Sequence, residues 1–118
     1  MDASQVVADV MDEWKAGIDA HDPTRVAAAF TEDAVFQGLR PYGVGRATVA
    51  DYYDSQPAGM TVTYDIRESR RPADTVVLGY LAATFRYPDR QAVDVAIGVV
   101  LSRGRDGWQI AQYQASRV

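Results

Sequence analysis

Trp14 and Tyr53 are the two side chains with the most to offer a ligand. Trp14 stands in the helix-spaced apolar series Val6, Val7, Val10, Met11, Trp14, Ile18, and Tyr53 in the series Val49, Tyr52, Tyr53, Gln56. An indole N–H donates a hydrogen bond, and a phenol both donates and accepts. Facing each other, the two rings would form an aromatic clamp with two polar handles, suited to a small, flat, largely apolar molecule. The same spacing also describes a stripe of packed core, and both readings stand at this point. Phe36, Leu81 and Phe85 extend an apolar lining, with Gly79 and Ala83 leaving volume beside them. Tyr64 shares a strand face with Val62 and Ile66. Near the end of the chain come Gln112, Tyr113 and Gln114. Strand alternation turns inward either Tyr113 or the two glutamines, and each choice puts hydrogen-bonding groups on a pocket floor.

The ionisable groups offer less. His21 is the only histidine. Its place in a turn after a helical segment reads as a helix terminus, where an imidazole is favourable at the negative end of the helix dipole. A proton shuttle at a pocket mouth is the functional alternative. One histidine and no cysteine leave a metal without its usual nitrogen and sulfur ligands, so no metal site is expected. Glu68 falls on the same strand face as Tyr64, but beside Arg67, Arg70 and Arg71 it reads as a solvated ion pair. The segment GVGRAT lacks the third glycine and the β-α-β setting of a dinucleotide site, and no cofactor is expected.

These residues need elements to hold them. The spacing predicts a first helix ending near His21, with Asp22 as N-cap and Pro23 at the first position of a second helix over Pro23–Phe30. A short strand follows over Ala34–Gln37, then the glycine-rich loop Gly38–Gly45, and a third helix over Ala47–Gln56 stopped by Pro57. Four long strands are predicted over Thr61–Ser69, Thr75–Tyr87, Ala92–Arg103 and Trp108–Arg117. In the second and third of these, both faces are apolar or small. A sheet wet on one side does not read that way, so one face is expected on the core and the other against a second copy of the chain.

At 118 residues the chain reads as one domain, residues 1–118, with a single core. No apolar run approaches the roughly 20 residues that span a bilayer. The start, MDASQVVADVMDEW, lacks the basic and apolar regions of a secretory leader, and a cytoplasmic location is expected. The net charge is −4 and the arginines are scattered, with no basic stripe for nucleic acid.

The pattern αα-β-α-ββββ, with AHDPTRVAAAFTEDAVF early and GWQIAQYQASR late, resembles the nuclear transport factor 2-like superfamily. Within it the chain is most similar to the SnoaL-like and SgcJ-like small proteins of actinobacteria, some of which belong to polyketide and enediyne antibiotic biosynthesis. The resemblance covers nearly the whole chain. It implies an α+β, cystatin-like fold: a cone-shaped, curved antiparallel sheet closed by three N-terminal helices, with Trp14 and Tyr53 over its cavity. It also implies that Asp94, which shares its strand face with Ala96 and Gly98, lies on the outer face with an arginine partner. A bulge would instead turn Asp94 inward.

The chemistry of the superfamily does not carry over residue by residue. Where ketosteroid isomerases place an oxyanion-hole tyrosine, a base and a protonated acid, the alignment puts Trp14, a position at or near Gly38, and Gly98–Val99. Scytalone-type dehydratases use two histidines. The epoxide-hydrolase set of two aspartates and an arginine finds only Asp94 and Arg86. The histidine that closes many SnoaL-like chains is here Gln114, which orients but does not serve as a general base. The resemblance therefore implies a homodimer with an internal pocket for a small apolar or aromatic molecule, lined by Trp14, Phe36, Tyr53, Tyr64, Phe85, Gln112 and Tyr113. Its setting would be secondary metabolism, as a cyclase-like, isomerase-like or accessory protein. The alternative is a non-enzymatic dimeric binding or assembly module, favoured if the cone is filled.

Overall fold

The computed structural model describes all 118 residues. Helix α1 spans Ala3–Asp19, and its apolar series is buried along one stripe that includes Gly17. The Asp2 side chain caps its start by accepting from the Gln5 N–H at 2.8 Å. Its end is a compact two-bond closure. The His21 N–H donates to the Ile18 carbonyl and the Asp22 N–H to the Gly17 carbonyl, both at 2.9 Å, while His21 takes a left-handed φ of 48°. His21 is thus one residue beyond the cap Ala20, and the helix stops slightly earlier than predicted. Asp22 then turns its own carboxylate to the Arg25 N–H and starts α2.

Helix α2, Pro23–Ala28, is shorter than predicted, because the chain is already extended at Phe30, where β1 (Phe30–Gln37) begins. The stretch Thr31–Asp33 looks like a loop in sequence because its residues are polar. It is an irregular part of β1, where the register against the last strand shifts between Phe30 and Val35. The glycine-rich loop contains a two-residue strand, β2 (Gly43–Val44), paired with Val35 and Phe36. Helix α3, Arg46–Asp54, follows directly.

The four long strands are β3 (Thr61–Ala73), β4 (Val76–Arg86), β5 (Val93–Gly104) and β6 (Gly107–Arg117). They form one curved, open sheet in the order β2-β1-β6-β5-β4-β3. All pairs are antiparallel except β1 with β6, which is parallel. Strand β3 runs past Ser69 through Pro72, which an edge strand tolerates because one side of its backbone needs no partner. That edge is partly blocked by α1. Asp19 accepts from the Val62 N–H at 3.0 Å, and Lys15 donates to the Val62 carbonyl at 2.7 Å, so two ladder groups are unavailable to another strand.

The inner face of the sheet alternates as strands require. Val77, Leu81, Ala83 and Phe85 of β4 and Val95, Ile97, Val99 and Leu101 of β5 are buried beneath the helices. Helices α1 and α2 approach closely at Gly17, where a Cβ would lie 2.7 Å from Val26 Cγ2 and 2.9 Å from the Val26 nitrogen. No helix is long and apolar enough to cross a membrane.

Candidate functional site

The interior of the cone is an aromatic cluster. Trp14, fully buried on α1, meets Tyr64 and Phe85 edge-on at 6.4 and 6.1 Å and Tyr113 at 5.9 Å. Phe36 stacks on Tyr113 at 4.9 Å and lies 5.7 Å from Tyr53. The Trp14 indole N–H donates to the Tyr53 hydroxyl oxygen at 3.1 Å, and the Tyr113 hydroxyl sits alongside that of Tyr53. The structure thus brings together Trp14, Phe36, Tyr53, Tyr64, Phe85 and Tyr113.

It does not bring Gln112 with them. Tyr113 is the inward residue of β6, and Gln112 and Gln114 are exposed on the outer face of the sheet. The β-bulge between β5 and β6 lies at Val100–Leu101, before this stretch, and the register beyond it is regular. Gln112 is therefore corrected from the pocket lining to the outer face, beside Val35 and Val100.

The rings fill the cone. A void of about 10 Å³ lies beside Ile18, Val26, Tyr53 and Met60, and one of about 20 Å³ at the mouth between α3 and the ends of β1, β4 and β6. That is room for about one water molecule. Tyr52, Tyr53, Tyr87 and Tyr113 all border it. Tyr52 and Tyr87 were not singled out in the sequence as lining residues. The signal for Tyr52 was the glycine opposite it. A Cβ on Gly38 would fall 2.4 Å from Tyr52 Cζ and 2.5 Å from its hydroxyl oxygen. That oxygen also accepts from the Leu39 N–H at 3.2 Å, and the Arg40 guanidinium lies 5.8 Å from the ring centre. The phenol thus occupies the place a side chain at position 38 would take.

The electrostatics follow from this packing. No charged side chain is buried. Burial pushes the phenol pKa values of Tyr53 and Tyr113 well above the ordinary tyrosine value, so both stay neutral. Tyr64 is also raised, first by partial burial and then by its hydrogen bond to Asp12 on the flank of α1. Neutral phenols and an indole can orient a polar group, but none of them abstracts a proton near neutral pH.

The remaining candidates are at the surface. Glu68 is exposed and pairs with Arg70 at 2.6 Å, and His21 is exposed in its turn. Asp94 is on the outer face, where it accepts from the Thr84 hydroxyl at 2.7 Å. Its partner within the chain is this hydroxyl rather than the expected arginine. No cluster of three or more histidine, cysteine or carboxylate side chains could hold a metal ion.

The geometry has parallels among solved structures. A cystatin-like domain of unknown function from Nostoc punctiforme superposes with a TM-score of 0.85 at 18% identity, over 98% of this chain and 77% of that one. A ketosteroid isomerase-like protein from Erwinia carotovora atroseptica superposes at 0.82 with 22% identity, over 97% and 95%. A putative calcium/calmodulin-dependent protein kinase II association domain from Xanthomonas campestris superposes at 0.87 with 18% identity, over 100% and 89%. At these identities the likeness is one of fold. The chain matches no curated protein. The SnoaL-like domain model matches residues 7–118. With that match over nearly its full length, the chain belongs to the SnoaL-like domain family, and its sheet under N-terminal helices is the cystatin-like fold of these neighbours.

Proposed function

We propose that this protein is a non-catalytic, homodimeric module that associates through the outer face of its sheet. The observation that carries the reading is the filled cone: eight aromatic rings linked by neighbouring contacts, no buried charged side chain, and voids of only about 20 and 10 Å³ beside them. A pocket that turns over a drug-sized ligand occupies roughly 300–1,000 Å³. The outer face carries an exposed apolar strip, bordered by Arg70, Glu68, Gln114 and Asp94. The strand register aligns Val44, Val35, Gln112, Val100 and Leu78 in one row across the sheet, with Gly98 and Tyr80 in the next. Val35, Val44, Leu78 and Tyr80 are all exposed. Four strands about 4.8 Å apart and eleven residues long at about 3.3 Å each present roughly 700 Å². A standard interface buries about 800 Å² per partner. The Xanthomonas campestris neighbour and a second one from Thiobacillus denitrificans are both described as putative association domains, which supports an assembly role.

Gly98 provides the test. A Cβ there would meet nothing within 4 Å, so the fold has room for a side chain pointing off the sheet. Light scattering after size exclusion should give twice the 12.9 kDa chain mass for the wild type, and one chain mass for Gly98→Arg with its thermal transition preserved. A monomeric wild type would sink the reading.

One observation favours a second reading, a small-molecule binder. Four tyrosines converge on the mouth void, and the Tyr52 phenol that narrows it is held by a single hydrogen bond from the Leu39 N–H. If Tyr52 swings away, a small planar apolar or aromatic molecule could seat against Tyr53 and Tyr113. In that case Tyr52→Ala should gain a thermal stabilisation by indole that the wild type lacks, and an unchanged response would sink this reading.

A further inference from the structure

The outer face of the sheet is asymmetric in a way that restricts how a second copy can cover it. Strand register sets three successive rows across it. The first carries the large side chains Val100 and Leu78 and ends at Arg70 on β3. The middle row is Gln114, Gly98, Tyr80 and Glu68. The third carries the small side chains Ala96 and Ala82 and ends at Asp65 on β3. Given the outer-face homodimer, on which this rests, we propose that its two-fold axis runs along the middle row, so that the first row of each protomer packs on the third row of its partner.

Two identical faces packed together are exchanged by a two-fold axis lying between the sheets and parallel to them, and residue i meets j as j meets i. An axis running along β5 would set Leu78 against the partner's Gln112 and Arg70 against the partner's Val35. It would also crowd Val100 on its own copy and leave Ala96 facing Ala96 across a gap. An axis along the middle row instead sets Leu78 over the partner's Ala82, Val100 over the partner's Ala96, and Arg70 opposite the partner's Asp65. Large then meets small, and positive meets negative. Asp65 is exposed and has no ion pair within its own chain. Five residues separate Asp65 from Arg70, which in a regular strand would put them on opposite faces. The β-bulge between Ile66 and Glu68 returns both to the outer face.

On the axis itself the two Tyr80 rings meet. Each is 49% exposed, and the space over Gly98, where a Cβ would touch nothing within 4 Å, receives them. Glu68 also faces its own copy, with each carboxylate already held by Arg70 at 2.6 Å. Sheets packed face to face cross at about 30°, which shifts partners this near the axis by less than the length of an arginine side chain.

The chain has no cysteine, so introduced thiols are unique. After subunit exchange between Leu78→Cys and Ala82→Cys proteins, a short bismaleimide should link the two chains. Leu78→Cys mixed with Gln112→Cys should not link, because this axis leaves the two positions roughly 16 Å apart at about 4.8 Å per strand and 3.3 Å per residue. Arg70→Asp and Asp65→Arg should each raise the dimer dissociation constant at least about tenfold, since each sets like charges face to face. An equimolar mixture of those two variants should recover the wild-type constant as a heterodimer, in which both contacts join opposite charges. The proposal is overturned if the wild type is a dimer and Leu78→Cys links no better to Ala82→Cys than to Gln112→Cys, or if mixing the charge variants recovers no affinity. The outer-face homodimer survives either result, whereas a monomeric wild type overturns both. The charge variants keep the test decisive if a cysteine substitution itself weakens the dimer.

Discussion

The Trp14 indole nitrogen donates to the Tyr53 hydroxyl oxygen at 3.1 Å, joining α1 to α3 across 39 residues of sequence. Both residues are almost fully buried. Each is the obvious partner for the other's polar atom, so neither needs a ligand to be satisfied. No buried side-chain nitrogen or oxygen in the chain lacks a partner.

Tyr53→Phe should therefore destabilise the protein, because it leaves the Trp14 N–H buried without an acceptor. The expected cost is about 1–3 kcal/mol. Adding Trp14→Phe removes the orphaned donor but opens a cavity, so the double variant should be less destabilised than the two single effects added together. Denaturant unfolding of the four proteins gives the coupling directly. Strict additivity would mean that the bond does not couple the two helices.

Stability should fall steeply in alkaline solution. The phenols of Tyr53 and Tyr113 are raised by burial, whereas in the unfolded chain they ionise near pH 10. Above about pH 10 the unfolded state binds fewer protons than the folded state, so the stability of the fold declines as pH rises. Each such phenol contributes a slope of about 1.4 kcal/mol per pH unit in that range. Tyr53→Phe should reduce the slope by one group. Urea midpoints measured from neutral pH upward, with phenolate absorbance followed in parallel, would show whether ionisation of these two residues coincides with unfolding.

Gly38→Ala should cost about 1–3 kcal/mol as an overpacking defect, since the new methyl would overlap the end of the Tyr52 ring. Combining it with Tyr52→Leu should recover part of that loss. If Gly38→Ala is neutral and the combination shows no coupling, the contact between the loop and α3 is not a fixed one.

His21 occupies a left-handed position, φ 48°, that costs a residue with a Cβ about 1 kcal/mol. His21→Gly should raise stability by about 0.5–1 kcal/mol after the added flexibility of the unfolded chain is counted. That corresponds to a rise in melting temperature of roughly 2–6 °C. A drop would mean that the imidazole contributes more at the helix terminus than the backbone strain costs.

Much of the fold was legible from local patterns. The stripe on α1 and the alternation within each long strand repeat with a period that one kind of element satisfies, and Asp22–Pro23 marks the start of α2 by its capping chemistry. The errors fell where local and long-range signals conflict. Phe30 reads as the last residue of a helix because it continues the apolar spacing of Val26 and Ala29, yet it pairs with Ile110 as the first residue of β1. Thr31–Asp33 is polar because it bulges, and Pro72 sits in a strand because that strand is an edge.

The sequence by itself determined which residues are apolar, which of them share a face, and that the positions aligned with the isomerase tyrosine and acid hold Trp14 and Gly98–Val99, while it left open whether Asp94 turns inward. Tertiary structure alone decided how those faces meet. The β5–β6 register turned Tyr113 inward and Gln112 outward, a choice that alternation leaves open because shifting a strand by one residue exchanges its two faces. It also decided volume. Gly38 and Tyr52 are 14 positions apart, and nothing in either local pattern says that the phenol of one fills the space left by the other. Whether an aromatic set makes a pocket or a core depends on how much space remains between rings brought from α1, α3, β1, β3, β4 and β6. Their side-chain volumes are written in the sequence, but the separation of the elements that carry them is set only when the sheet curves and the helices dock.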